Sequence, residues 1–185
     1  VSSAGDINGD GIDDLIVGNS RADPNGLSSG SSYVVFSKTS GFNATMNLSV
    51  LDGSNGFRLD GEAAGDMSGI SVSNAGDVNG DGFDDVIVGA YHADPNGLSS
   101  GSSYVVFGKT SGFDAAINLS DLNGSNGFRL DGAAAGDRSG RSVSNAGDVN
   151  GDGFDDVIVG ASGADLNGYA SGSSYVVFGK TSGFD

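Results

Sequence analysis

The chain of 185 residues carries a formal net charge of −16 at pH 7 and contains no cysteine. Because phosphate contacts need a surface rich in Lys and Arg, this charge argues against a nucleic-acid partner. We expect no membrane span, since no apolar run approaches the roughly 20 residues that a spanning helix needs. Glycine is abundant at 34 residues and proline is rare at 2, which is typical of short strands joined by tight turns.

The sequence is a tandem repeat, and an acidic loop of nine residues marks each copy. The loop reads DINGDGIDD at 6–14 (loop 1) and DVNGDGFDD at 77–85 (loop 2) and 148–156 (loop 3), so that successive copies start 71 residues apart. Residues 56–114 align with 127–185 without gaps and are identical at 51 of 59 positions. Self-similarity at a fixed period indicates a repeat architecture.

At this period the chain holds about 2.6 repeats. We divide it into a partial first blade at 1–49, a second blade at 50–120 and a third at 121–185. A partial ring of blades would leave apolar faces and strand edges exposed. We therefore expect further blades of the same protein, or copies of this chain, to cover them.

Four apolar segments follow one another in each repeat, written here from the second copy. They are GFRLDG at 56–61, ISVSNAG at 70–76, VIVGA at 86–90 and SSYVVFG at 102–108. All are short, rich in β-branched or aromatic residues and bounded by Gly, Asn, Asp or Ser, which predicts strands. VIVG carries apolar residues on both faces, which predicts a strand stacked between neighbouring blades. The stretch at 116–122 could make one or two helical turns at most. Four strands per repeat predict an all-β fold of propeller-like blades, with the ring incomplete within this chain.

The acidic loop has the chemistry of a calcium site. Oxygen-bearing side chains stand at positions 1, 3, 5 and 9, and glycines stand between them. We expect these side chains and the backbone carbonyl of position 7 to surround one Ca²⁺ per loop, about three in all. The expected ligands are Asp6, Asn8, Asp10, Ile12 and Asp14 in loop 1; Asp77, Asn79, Asp81, Phe83 and Asp85 in loop 2; and Asp148, Asn150, Asp152, Phe154 and Asp156 in loop 3. Asp84, at position 8, is expected to point away or to support the ligands indirectly.

Other ions and motifs fit this loop less well. An EF-hand needs a Glu at position 12, where Val88 stands, and flanking helices that the sequence does not predict. Zinc prefers Cys or His ligands, and the chain contains one His. Magnesium takes fewer protein ligands and keeps more water. An ion-free turn of Asp, Asn and Gly remains the alternative, although converging carboxylates would then repel one another.

Catalytic patterns are not evident. His92 occurs in one repeat alone, and no G-x-S-x-G elbow precedes a helix. The pair Asp84–Asp85 lies inside the loop, where a structural role is expected. Arg58 and Arg129 stand beside Asp60 and Asp131, which predicts structural ion pairs. We therefore expect a non-catalytic protein.

The segment SVSNAGDVNGDGFDDVIVGA at 71–90, followed by SSYVVFG, resembles the FG-GAP repeat, the blade unit of integrin alpha-subunit propellers. Ser68-Gly69 and Ser139-Gly140 stand where the family usually has FG. Gly89-Ala90-Tyr91 stands where GAP is usual. The resemblance implies a calcium-binding β-propeller with the same ligand assignment.

Near-identical repeats favour multivalent adhesion or assembly, in which equal weak contacts add up. We predict an extracellular or cell-surface scaffold or adhesion module. Self-assembly into a fibre or a closed ring and membership of a larger propeller are both open to it. The alternative is a calcium-stabilised lectin or protein-recognition propeller with a glycan or protein ligand. The variable side chains Tyr91, His92 and Tyr169 would then be the first candidates for contact, because binding usually resides on loops of a rigid scaffold.

Overall fold

The computed structural model describes residues 1–184 and is built almost entirely of short strands. The strands are β1 Ser2–Gly5, β2 Asp14–Asn19, β3 Ser31–Val35, β4 Gly56–Asp60, β5 Ser71–Gly76, β6 Asp85–Ala90, β7 Ser102–Val106, β8 Ala116–Asn118, β9 Gly127–Asp131, β10 Ser139–Gly147, β11 Asp156–Ala161 and β12 Ser173–Val177. Two 3₁₀ helices, Leu48–Val50 and Leu119–Asp121, provide the only helical turns in these residues. Within them no helix is long and apolar enough to cross a membrane.

The strands form three separate sheets, one for each copy of the acidic loop. Their strand orders are β1-β2-β3-β4-β8, β5-β6-β7-β9 and β10-β11-β12. All neighbouring pairs are antiparallel except β8, which adds to β4 in parallel. The first strands lie together, since β5 contacts both β1 and β10. The predicted fold class, an open array of propeller-like blades, is confirmed.

The fourth strand of a sheet comes from the following copy of the repeat. Strand β4 pairs with β3, with Tyr33 opposite Arg58, and β9 pairs with β7 in the same register, with Tyr104 opposite Arg129. The GFRLD segments therefore complete the sheet that precedes them. Consecutive repeats are thus linked, because one repeat supplies the fourth strand to the sheet of the repeat before it. The blade ranges drawn from the sequence remain a prediction.

The VIVG strand of the middle sheet is buried on both faces, as its composition predicts. All six residues of β6 are buried. Val86 and Val88 join the apolar cluster shared with the first sheet, whereas Ile87 belongs to the cluster shared with the third sheet. Two continuous cores therefore hold three sheets together. At the outer sheet, Val176 is 44% exposed, because no further sheet covers it within the described residues.

The segment that returns from one repeat to the next packs against the edge of the preceding sheet. Phe113 stacks on Phe57 with ring centroids 4.2 Å apart, and Phe184 stacks on Phe128 at 4.5 Å. Ala116–Asn118 then forms β8, and the following 3₁₀ helix makes a single turn of three residues. The expectation of at most one or two helical turns at 116–122 is confirmed.

Candidate metal centre

Each acidic loop joins the first two strands of its sheet. Loop 1 connects β1 to β2, loop 2 connects β5 to β6, and loop 3 connects β10 to β11. The strand pairing shifts register at the glycine just before each loop, for example at Gly76 opposite Asp85. These hairpins are anchored by strands with buried residues, so the loop is held at a fixed end of every blade.

Within loop 1, the side chains of positions 1, 3 and 5 gather around the backbone of the loop. The N–H of Asp10 donates to Asp6 Oδ1 and to Asn8 Oδ1, both at 2.9 Å. The N–H of Gly11 donates to Asp6 Oδ2 at 2.8 Å, and that of Ile12 donates to Asp10 Oδ1 at 2.9 Å. Loops 2 and 3 repeat these four bonds at 2.8–3.1 Å. The same hydrogen-bonded arrangement is thus present in all three loops.

Position 9 is the buried anchor of the loop. Asp85 is fully buried, and its Oδ1 and Oδ2 accept the N–H groups of Gly108 at 2.9 Å and Val78 at 3.0 Å. These bonds tie both ends of loop 2 to the end of the SSYVVF segment. In loop 1, Asp14 Oδ1 accepts the N–H of Ser37 at 2.8 Å. Its Oδ2 is buried without a hydrogen-bond partner, so one lone carboxylate oxygen remains at the base of this loop.

The position 9 carboxylates of loops 1 and 2 are costly to keep ionised. Burial raises the pKa of Asp85 to about 8, while its backbone hydrogen bonds act in the opposite direction. The nearby carboxylates of Asp81 and Asp77 add to this rise. Burial likewise raises the pKa of Asp14 to about 6. Because desolvation and like charges both disfavour the ionised form, a cation bound at the loop would offset this cost.

The donor set fits a hard divalent cation. Across residues 1–184, no three His, Cys, Asp or Glu side chains lie close enough together to hold a metal by themselves. The ligand set predicted from the sequence also includes the amide oxygen of position 3 and the carbonyl of position 7. Each carboxylate oxygen that accepts one N–H keeps a further lone pair for a metal. The buried Oδ2 of Asp14 accepts no hydrogen bond, so both of its lone pairs are free for a metal.

Position 8 makes a contact that the sequence did not predict. Asp84 Oδ2 accepts the N–H of Asp6, at position 1 of the preceding loop, at 2.8 Å. Asp155 Oδ2 accepts the N–H of Asp77 in the same way at 3.0 Å. The available signal was an Asp retained at position 8 of all three loops, although that position lies outside the ligand set.

The predicted ion pairs of the GFRLD strands are present. Arg58 Nε lies 2.7 Å from Asp60 Oδ1, and Arg129 Nε lies 2.8 Å from Asp131 Oδ1. Arg129 also approaches Glu62 at 3.1 Å. Their guanidinium groups are thus held by carboxylates on the sheet surface.

The variable side chains differ in their freedom to bind a ligand. The ring of Tyr91 lies against His92 with centroids 4.1 Å apart, and the guanidinium of Arg141 lies 5.2 Å from the centroid of the same ring. His92 Nδ1 is 2.9 Å from Ser99 Oγ. Tyr169, by contrast, is 96% exposed, so its ring faces are open to solvent.

Three tandem and largely antiparallel sheets, each carrying an acidic hairpin loop between its first two strands, define a repeat protein of the β-propeller class. The sequence model of the FG-GAP repeat family matches residues 1–35, 68–106 and 139–177, more than half of the chain. The chain belongs to the FG-GAP repeat family, and the resemblance drawn from its motifs is confirmed.

Curated relatives come from several animals. The chain is 30% identical to integrin alpha-4 of Xenopus laevis over 161 residues, 85% of this chain and 14% of that protein. It is 31% identical to integrin alpha-PS5 of Drosophila melanogaster over 168 residues, 88% of this chain and 14% of that protein. It is 32% identical to integrin alpha pat-2 of Caenorhabditis elegans over 190 residues, 98% of this chain and 14% of that protein. The chain therefore spans about one seventh of the length of these relatives.

Proposed function

We propose that the chain is a calcium-braced segment of a non-catalytic adhesion or recognition propeller at the cell surface or outside the cell. The observation that carries the proposal is the acidic loop, which adopts one hydrogen-bonded arrangement in three repeats. The family membership of the chain and its integrin alpha relatives support an adhesion role. Repeated equal sites also suit multivalent contact better than a single asymmetric catalytic centre.

In this proposal each loop holds one Ca²⁺ through the ligands predicted from the sequence. The side chains of positions 1, 3, 5 and 9 and the carbonyl of position 7 supply oxygen, the ligand atom that calcium prefers. Position 9 also anchors the loop to the residues just after the third strand of its sheet, as Asp85 does through Gly108. A bound ion would therefore link the first hairpin of a blade to its third strand and stabilise the blade.

Removal of calcium is expected to lower the thermal midpoint by several degrees. Extracellular calcium modules bind at roughly 10⁻⁴–10⁻³ M. At about 1 mM calcium, each site then stabilises the fold by roughly 0.4–1.4 kcal/mol, and three sites by about 1–4 kcal/mol. Circular dichroism melting in about 1 mM calcium, the upper end of this range, and in excess EGTA measures the difference.

Two exposed acids of loop 1 provide the matched variants for this melting experiment. Asp10→Ala removes a proposed ligand and is expected to reduce the calcium-dependent shift by about one third, since one site of three is lost. Asp13→Ala removes an acid at the non-ligand position 8 and is expected to preserve the shift. Equal midpoints with and without calcium in the wild-type chain would contradict the proposal.

A recognition role is the second candidate, and the exposure of Tyr169 favours it. An open aromatic ring on a loop can stack against a sugar or a protein side chain. The covered ring of Tyr91 is less suited to this role. Binding on a glycan array that Tyr169→Ala abolishes would support recognition, and binding that survives this substitution would place the contact elsewhere.

Assembly into a closed ring or a fibre remains part of the proposal. It is supported by the apolar side chains that the third sheet exposes, among them Val176 and Phe178 at 44% and 53%. Heterologous contacts close into rings or continue into filaments. Electron microscopy of the purified chain separates the two forms, and a discrete monomer in light scattering would remove this part of the proposal.

A further inference from the structure

Consecutive acidic loops are in direct contact, although their contacting residues lie 78 positions apart in the chain. Asp84 reaches back from loop 2 and accepts the N–H of Asp6 at 2.8 Å. Asp155 reaches back from loop 3 and accepts the N–H of Asp77 at 3.0 Å. Asp13, at the same position of loop 1, is exposed and makes no such bond within residues 1–184. The contact therefore runs from each loop to the one before it.

The aromatic residue at position 7 strengthens this contact. A Cβ built on Gly9 would lie 2.6 Å from the ring of Phe83, and one built on Gly80 would lie 2.3 Å from the ring of Phe154. At Gly151, in loop 3, a Cβ would meet nothing within 4 Å. Positions 7 and 8 of one loop thus pack against positions 4 and 1, respectively, of the preceding loop.

The backbone adds a third contact between neighbouring loops. The N–H of Lys109 donates to the carbonyl of Ile7 at 3.0 Å, and that of Lys180 donates to the carbonyl of Val78 at 2.9 Å. Position 2 of a loop is therefore held by the repeat that follows it. Since position 1 lies beside it, the backbone on both sides of the proposed first ligand is fixed from outside the loop.

We propose that Asp84 and Asp155 are positioning residues for the ion loop of the preceding repeat. This inference rests on the proposed calcium function of the loops. A carboxylate that accepts the position 1 N–H fixes the backbone from which the position 1 side chain extends. Fixing a ligand before the ion arrives removes ordering cost from binding. Asp84 therefore raises the calcium affinity of loop 1, and Asp155 raises that of loop 2.

A calcium titration followed by NMR tests the assignment loop by loop. The amides of Gly11 and Gly82 donate to the position 1 carboxylates of loops 1 and 2, so each reports its own loop. Asp84→Ala is expected to weaken calcium binding at Gly11 by about tenfold, as loss of one charge-assisted hydrogen bond implies. The midpoint at Gly82 is expected to change much less. Asp155→Ala is expected to weaken calcium binding at Gly82 instead of at Gly11.

Two further variants separate positioning from charge. Asp84→Asn removes the charge but keeps an oxygen that can accept the N–H of Asp6, so we expect affinity at Gly11 to recover to within about threefold of wild type. Asp13→Ala removes an acid from the same loop position without removing an inter-loop bond. A loss confined to loop 2 in Asp84→Ala, or an equal loss in Asp84→Asn, would overturn the proposal.

A calcium-free measurement tests the contact without any substitution. The amide protons of Asp6 and Asp77 are expected to exchange with solvent more slowly than that of Asp148, which donates to no following loop within residues 1–184. Equal exchange at the three amides would show that the bridge is absent. If no loop glycine responds to calcium, the proposed function fails, while the exchange result still decides whether the loops are bridged.

Discussion

Gly89→Ala is expected to separate the second and third sheets and to destabilise the chain by about 3 kcal/mol, at the upper end of the cost of overpacking. A Cβ at Gly89 would lie 1.9 Å from the carbonyl oxygen of Gly140. That oxygen belongs to the backbone, so no side chain can rotate to make room. The N–H of Gly69 meanwhile donates to the carbonyl of Gly89 at 3.0 Å, which fixes this glycine from the other side. The loss is a large share of the 5–15 kcal/mol that a typical domain possesses.

Gly160→Ala is the matched control, since Gly160 occupies the same repeat position in β11. There a Cβ would meet the Oγ of Ser142 at 2.3 Å and no other atom closer than 3.6 Å. A serine hydroxyl can turn away, so we expect a cost below about 1 kcal/mol. Urea unfolding of the two variants, followed by circular dichroism, gives the comparison. Matching midpoints would show that the sheets tolerate a methyl group at this junction.

This junction explains which parts of the family motifs the chain retains. Gly89 stands at the GAP position, Gly140 at the FG position of the next repeat, and the two meet across the interface. Gly18 approaches the carbonyl of Gly69 at the preceding junction, where a Cβ would lie 2.0 Å from that oxygen. The Phe and Pro of the motif names are absent here, whereas both glycines remain. Close backbone approach, which requires glycine, accounts for this pattern.

Local features of the fold were readable from the sequence. The strand at 86–90 is marked by β-branched residues, and its lack of alternation predicted burial on both faces. The acidic loop was also readable, since side-chain oxygens at fixed spacing describe a short-range arrangement. In both cases the residues that determine the structure lie within a few positions of one another.

Contacts between repeats were not readable in the same way. The segment at 56–61 has the pattern of a strand, but its partner is β3 of the preceding repeat. The sequence does not reveal this partner, because the copies of the repeat are nearly identical. For Asp84 the sequence left two possibilities, pointing away or supporting the ligands indirectly, and did not reveal its partner Asp6, which lies 78 residues away. When repeats are nearly identical, the pattern within one unit cannot say which neighbouring unit supplies the contact.

Asp85→Ala is expected to destabilise the chain by about 3 kcal/mol even without calcium. Its carboxylate satisfies the buried N–H groups of Val78 and Gly108, and each unsatisfied donor costs about 1–3 kcal/mol. Part of the loss is offset, because burial raises the pKa of Asp85 to about 8 and the substitution removes that desolvation cost. Asp85 thus stabilises the fold even before any ion binds.

Asp81→Ala separates the anchoring role from the ligand role. Asp81 is a proposed ligand of the same loop, but it is exposed and its carboxylate accepts the N–H of Phe83 within the loop. In EGTA we expect Asp81→Ala to cost below about 1 kcal/mol, as exposed substitutions do, whereas Asp85→Ala keeps its full cost. In calcium both variants lose the stabilisation of loop 2. If Asp85→Ala matched Asp81→Ala in EGTA, position 9 would act through the ion alone, and the hydrogen bonds to Val78 and Gly108 would contribute little.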